Sequence, residues 1–114
     1  MLSSGDVIDL DLGLPEGREA GFLRPAVVVT AQRILDALPS VIQAVPLTTS
    51  IRGLGSEVTV RPDPDNGLAE VSSAQCQHVR AVSSTRVRSV RGNVGAVALG
   101  QIRETIAVIL DLLP

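Results

Sequence analysis

With 114 residues, one cysteine and one histidine, the chain can fill one modest core. It lacks the side chains for an intrachain disulfide, a cysteine-based zinc cluster or a two-histidine metal or acid–base site. A net charge of −2 excludes the overall basic field that marks many nucleic-acid binders.

Apolar residues make up 45% of the chain, with one Phe and no Tyr or Trp, so the core must be assembled from Val, Ile, Leu and Ala. All ten cationic side chains are arginine. Two readings of that bias stand: a need for forked donors, or the coding preference of a G+C-rich genome. The charges are unevenly spread. Residues 1–16 hold Asp6, Asp9, Asp11 and Glu16 and no base, whereas residues 75–95 hold Arg80, Arg86, Arg88 and Arg91 and no acid. A local basic surface is therefore compatible with the acidic total. Neither a signal peptide nor an apolar run of about 18 residues is visible, which leads us to expect a cytosolic protein that needs no metal or cofactor and no membrane.

Asp6 to Leu12 alternates Ile8, Leu10 and Leu12 with Asp9 and Asp11, the period of a half-buried strand. Pro15, Gly17 and Gly21 break the chain into a loop over Gly13–Phe22. Ala26 to Thr30 is apolar and β-branched throughout and predicts a central strand covered on both faces. Ala31 to Leu38 predicts two turns of helix, stopped by Pro39. Ser40 to Leu47 returns as a strand, with Pro46 suggesting a sheet edge or a bulge. Glu57 to Arg61 alternates cleanly, and Pro62 to Gly67 (PDPDNG) is the strongest turn signal in the chain. Leu68 to Ser83 reads as one longer or bulged strand, and Gly92 to Gly95 as a connector.

From Ala96 the period becomes helical, with Leu99, Ile102, Ile106, Ile109 and Leu113 on one face. The apolar end, Ile109-Leu110-Leu112-Leu113, either caps the core or packs against a second copy. Five short strands and one closing helix in a single domain over residues 1–114 suggest a mainly β, α+β fold. Its expected form is a small SH3-like antiparallel barrel with a C-terminal amphipathic helix.

One stretch stands out chemically. Pro25 fixes its own φ and biases Arg24 towards extended backbone, so this guanidinium sits on a stiff boundary suited to gripping an anion. The plain alternative is a loop–strand junction whose arginine points into water. If the strand carrying Arg24 pairs antiparallel with the strand ending at Thr48, the two residues meet, and Thr49 and Ser50 add hydroxyls beside them. Guanidinium, hydroxyls and backbone amides around one small volume make a phosphate site. Glu19, in the loop before Arg24, adds a carboxylate that could act as a base. The chemistry this suggests is RNA cleavage by its own 2′-hydroxyl. Glu19 would take the proton, and Arg24 and Thr48 would stabilise the charge on the phosphorane.

The order of five blocks makes the pattern specific. GDVIDLDL, GREAGFLRPAVVV, VPLTTS, Ser73-Ala74-Gln75 and GNVGAVALGQIRETIAVILDL follow one another as they do in the MazF/PemK family of toxin endoribonucleases, which the chain resembles over nearly its whole length. The resemblance implies Arg24 and Thr48 as a catalytic pair, with Glu19 a less uniform third member. It implies an RNA contact from Gln75. Thr49, Ser50, Arg18, Phe22 and His78 are further candidates for contact with the strand. The resemblance also implies a PemK/CcdB-like barrel, a symmetric homodimer, single-stranded RNA as substrate, no metal, and a cognate antitoxin whose disordered segment blocks the RNA groove. The products would be a 2′,3′-cyclic phosphate and a 5′-hydroxyl.

There are departures from the family pattern. Phe22-Leu23 stands where many members are polar or basic, and Ser73-Ala74 lacks the acidic residue that often precedes the glutamine. Phe22 is the one aromatic ring able to stack on a base, and His78 either assists it or is an ordinary surface histidine. Cys76 is expected to be a small buried apolar residue. Two other functions compete: a toxin of the same fold that poisons a protein such as a topoisomerase, and a non-catalytic SH3-like module. The second usually needs an aromatic-lined groove that this composition does not supply.

Overall fold

The computed structural model describes residues 1–11, 17 and 23–112. Seven strands and a terminal helix follow in order: β1 (Asp6–Asp11), β2 (Leu23–Val28), the single-turn α1 (Gln32–Leu35), β3 (Val41–Thr48), β4 (Glu57–Val60), β5 (Ser72–Gln75), β6 (Arg80–Ser83), β7 (Val87–Asn93) and α2 (Gly95–Ile109). All strand pairs are antiparallel, in the order β4-β5-β3-β2-β1-β7, and β6 also pairs with β3. The sheet bends into a barrel-like fold that is left open, as β4 and β7 end the order.

The bend explains why β1, β2 and β3 read as apolar on both faces. Val7, Val27, Val45 and Leu47 face a core closed by Val60, Ala74, Cys76 and the α2 residues Leu99 and Ile102. Ile8, Leu10, Ala26, Val28, Ile42 and Ala44 face a second core closed by Leu35 and Val82. The expectation of a strand covered on both faces from Ala26 onward is met through Val28.

Five strands were expected, and the described residues form seven. The segment read as one strand from Leu68 to Ser83 is divided into β5 and β6 by a 3₁₀ turn at Cys76–His78. The strand β7 replaces what read as a basic stretch and a connector. Its arginines obscured the strand pattern because they face the acids of β1 across the sheet: Arg91 reaches Asp9 at 2.8 Å and Arg88 reaches Asp11 at 3.3 Å. Ser89 donates to Asp9 at 2.6 Å, and Arg86 donates to the Asp11 carbonyl at 3.1 Å. The uneven charge along the sequence is thus two neighbouring strands seen separately. At these exposed positions each pair adds little stability but sets which strands sit together.

Pro46 marks neither an edge nor a bulge. It is buried in β3 and lies opposite Ala26 of β2. On its other side β3 pairs with β6 through Val41–Ala44 and with β5 through Leu47 and Thr48. Pro46 sits where the partner changes, so its missing N–H falls in the gap between two ladders. The predicted two-turn helix shrinks to one turn because Leu38, forced out of the helical region before Pro39, adopts a φ of 54°.

The PDPDNG turn forms as expected and docks on β7. Asn66 is buried, donates to the Arg61 carbonyl at 2.8 Å, and accepts from the Leu68 amide at 3.0 Å. Gly92 permits the docking. A Cβ there would strike the Asp65 carbonyl and lie 2.8 Å from the Asn66 carbonyl carbon. In α2, Leu99 and Ile102 are buried and Ile106 packs beside them, while Val108, Ile109, Leu110 and Leu112 are exposed. The helix therefore closes the core with its first half only. Leu113 lies outside the described residues.

Gly92→Ala should destabilise the fold by about 1–3 kcal/mol, because both obstructing groups are backbone. Gly100→Ala, in α2 with open space around the new methyl, should stabilise it by up to about 1 kcal/mol. Thermal or urea unfolding of the two variants checks both signs.

Candidate functional site

The register of β2 with β3 decides the site. Ala26 lies opposite Pro46 and Val27 opposite Val45. Continued by two residues, the same pairing sets Arg24 opposite Thr48. Both are half-buried at their strand ends, where they line a cavity of about 270 Å³ with Pro25, Leu47, Thr49 and Ser72. Side chains directly opposite one another in an antiparallel pair share a face, so this pairing directs both side chains to the same side of the sheet. The Thr48 Oγ1 accepts a hydrogen bond from the Ser50 amide at 3.2 Å, which orients the oxygen and leaves its own proton to be donated.

The face continues across the next strands. Ser73 of β5 is the partner of Thr48, and Thr59 of β4 is the partner of Ser73. Arg24, Thr48, Ser73 and Thr59 thus form a polar row across four strands. Two and four residues further in, the same face carries the apolar side chains of Ala26, Val28 and Ala44.

The remaining residues singled out from the sequence fall in three groups. Thr49 lines the cavity and Ser50 lies exposed just beyond it. Gln75 lies on the Ser73 face, 7% exposed, opposite Glu57 and away from the cavity lining. Among the described residues its Oε1 has no donor. His78 is half-buried on the 3₁₀ turn and is not among the residues lining the cavity. Arg18, Glu19 and Phe22 lie outside the described residues. Cys76 is fully buried, and that burial pushes its thiol up to about 11, a small core residue as expected.

Sequence reasoning missed Glu57. It reads only as the first residue of an alternating strand, and its side chain is only 2% exposed. The carboxylate accepts from Ser73 Oγ at 3.1 Å and from Gln77 Nε2 at 3.0 Å, and pairs with Arg52 at 3.4 Å. Burial alone would raise its pKa, but the bonds from Gln77 and Ser73 and the charge of Arg52 outweigh that and hold it below the ordinary glutamate value.

A larger cavity of about 520 Å³ lies at the opposite end of β2 and β3, lined by residues that include Val29, Gln43, Arg103 and Ile106. No residue singled out from the sequence as a site candidate lines it. Among the described residues no three His, Cys, Asp or Glu side chains converge in a metal-like cluster, and no helix is long and apolar enough to cross a membrane.

A small bent antiparallel sheet, closed by a terminal helix, carries an arginine and a threonine at adjoining strand ends. Residues 3–110 match the family described as PemK-like, MazF-like toxin of type II toxin-antitoxin system, and the chain belongs to that family. Among its relatives is the endoribonuclease MazF9 of Mycobacterium tuberculosis, 30% identical, with 98% of each chain covered. The fold is shared with MazF of Deinococcus radiodurans, at a TM-score of 0.80 and 24% identity over 96% of both chains. It is shared too with a mycobacterial endoribonuclease in complex with its cognate antitoxin, at 0.79 and 19%, over 100% of this chain and 99% of the other.

The depressed pKa gives Glu57 a pH signature. A group whose folded pKa is lowered stabilises the fold above its unfolded pKa, about 4.3 for glutamate, and loses that contribution as pH falls through the folded value. Unfolding free energy measured between pH 7 and pH 3 should therefore decline on the acid side, and Glu57→Gln should show a shallower decline. Asp9, whose pKa is also lowered, supplies part of the slope that remains.

Proposed function

We propose that this chain is the toxin of a type II toxin–antitoxin pair and an endoribonuclease that cuts single-stranded RNA without a metal, with Arg24 and Thr48 at the scissile phosphate. The observation that carries the reading is the β2–β3 register, which sets a guanidinium beside an oriented hydroxyl at one small cavity in a chain of this family. The endoribonuclease relative supports the activity, and the neighbour in complex with its antitoxin supports the partner.

In this mechanism the 2′-hydroxyl oxygen attacks phosphorus as its proton passes to a base, for which Glu19 is the candidate. Arg24 and Thr48 bind the non-bridging oxygens as negative charge builds on the phosphorane. The P–O5′ bond then breaks and the 5′-oxygen takes up a proton, giving a 2′,3′-cyclic phosphate and a 5′-hydroxyl. An arginine, with a pKa above about 12, serves this step by its charge and not as a proton donor.

Thr49, Ser50, Gln75, Arg18, Phe22 and His78 form the set proposed to contact the strand, with Phe22 stacking on a base. The domain spans residues 1–114 and acts in the cytoplasm as a homodimer. The exposed run Val108, Ile109, Leu110 and Leu112 supports that assembly as an apolar surface for a second copy. A disordered segment of the antitoxin would block the RNA groove at the Arg24 site.

Purified protein incubated with single-stranded RNA in EDTA should leave 2′,3′-cyclic phosphate ends. Arg24→Ala and Thr48→Ala should each lower the cleavage rate by about 10²–10³, the usual consequence of removing one pre-organised donor. Unchanged rates in both variants would remove the assignment.

A further inference from the structure

We infer that Glu57 is a positioning residue for the Arg24–Thr48 site, its buried carboxylate locking the strand beside Thr48 to the loop that leaves it. The inference rests on the reading of that site given above.

The geometry around Thr48 raises the need for such a lock. Thr48 is the last residue of β3, and residues 49–55 after it are exposed without forming a strand. A donor on a strand end tends to move with the loop that follows. Here the loop is held at two points, the Ser50 amide on Thr48 Oγ1 and Arg52 on Glu57. On the sheet side Thr48 is paired with Ser73, whose hydroxyl is itself bound to Glu57 Oε1. Gln77, on the 3₁₀ turn after β5, donates to Oε2. One carboxylate therefore joins three segments: the loop after Thr48, the strand beside Thr48, and the turn that ends that strand.

The junction supplies geometry as well as stability. Glu57 is 2% exposed, and its three donors more than offset the cost of its burial. A carboxylate with three directed donors also supplies a fixed arrangement. A charge-stabilising hydroxyl needs this most, since misplacement by about 1 Å can lower a rate by about 10²-fold. Glu57 does not line the cavity, so its effect passes through Ser73 and Arg52. Gln in its place would keep the size but offer one acceptor and turn an NH2 towards donors.

The test is cleavage kinetics of Glu57→Gln on single-stranded RNA, run beside Thr48→Ala and Arg52→Ala at a temperature where circular dichroism shows each protein folded. The lock predicts kcat lower by roughly tenfold to a hundredfold in Glu57→Gln, with KM changed by less than about threefold. It also predicts faster amide exchange over residues 48–56 measured by mass spectrometry. Arg52→Ala, changed at a half-exposed side chain that the fold tolerates, should lower kcat in the same sense and speed exchange in the same segment. It carries the test alone should Glu57→Gln not fold. Wild-type kcat in the folded variants beside an inactive Thr48→Ala would overturn the inference and leave the site intact. A Thr48→Ala protein with the wild-type rate would overturn the site, and the inference with it.

Discussion

The pairing that sets Ala26 against Pro46 is the constraint on which the rest of the molecule depends. A slip of one residue would turn Val27 and Val45 out of the first core and Ala26 and Ala44 out of the second, because side chains alternate with a period of two. Burial on both faces makes such a slip costly from either side, so the register is fixed twice. The same register carries Arg24 to Thr48. The most heavily buried part of the protein thereby aligns two half-exposed polar side chains at its rim, and the site inherits its precision from the core.

Charge is sorted by strand in a way the net figure of −2 conceals. The acids of β1 face the arginines of β7, and Asp9 is held ionised by Arg91 and Ser89 against the opposing effect of its burial. Arginines that first read as a basic surface are largely engaged across the sheet, whereas Arg24 lies at the other edge of β1, on β2, where the cavity opens. The proposed binding of an anionic strand would then depend on local donors at one place and less on a broad field.

Much of this was legible from the residues. Alternation and β-branching located β1, β2 and β4, the PDPDNG turn formed where its composition said it would, and the helical period located the start of α2 to within a residue. The Arg24–Thr48 encounter followed from assuming one antiparallel pair. What stayed hidden depended on neighbours that only folding supplies. The β7 strand was obscured because arginines that satisfy Asp9 and Asp11 in three dimensions break an apolar pattern in one. Pro46 suggested an edge because a sequence does not show where a strand changes partners. Glu57 drew no notice, since alternation reports the face of a strand and not what covers it; Ser73, Gln77 and Arg52 cover it from 5 to 20 residues away.

The functional reading needs Arg24 and Thr48 to act on one phosphate as one unit, and a double-mutant cycle on cleavage tests that most directly. Rates are measured for the wild type, Arg24→Ala, Thr48→Ala and the double variant on one RNA, in EDTA. Residues that serve the same charge at the same moment are strongly non-additive, so the double variant should be scarcely slower than the worse single variant. A double variant slowed by the full product of the two single effects would mean that the residues act independently, which would contradict a shared site at the β2–β3 strand ends.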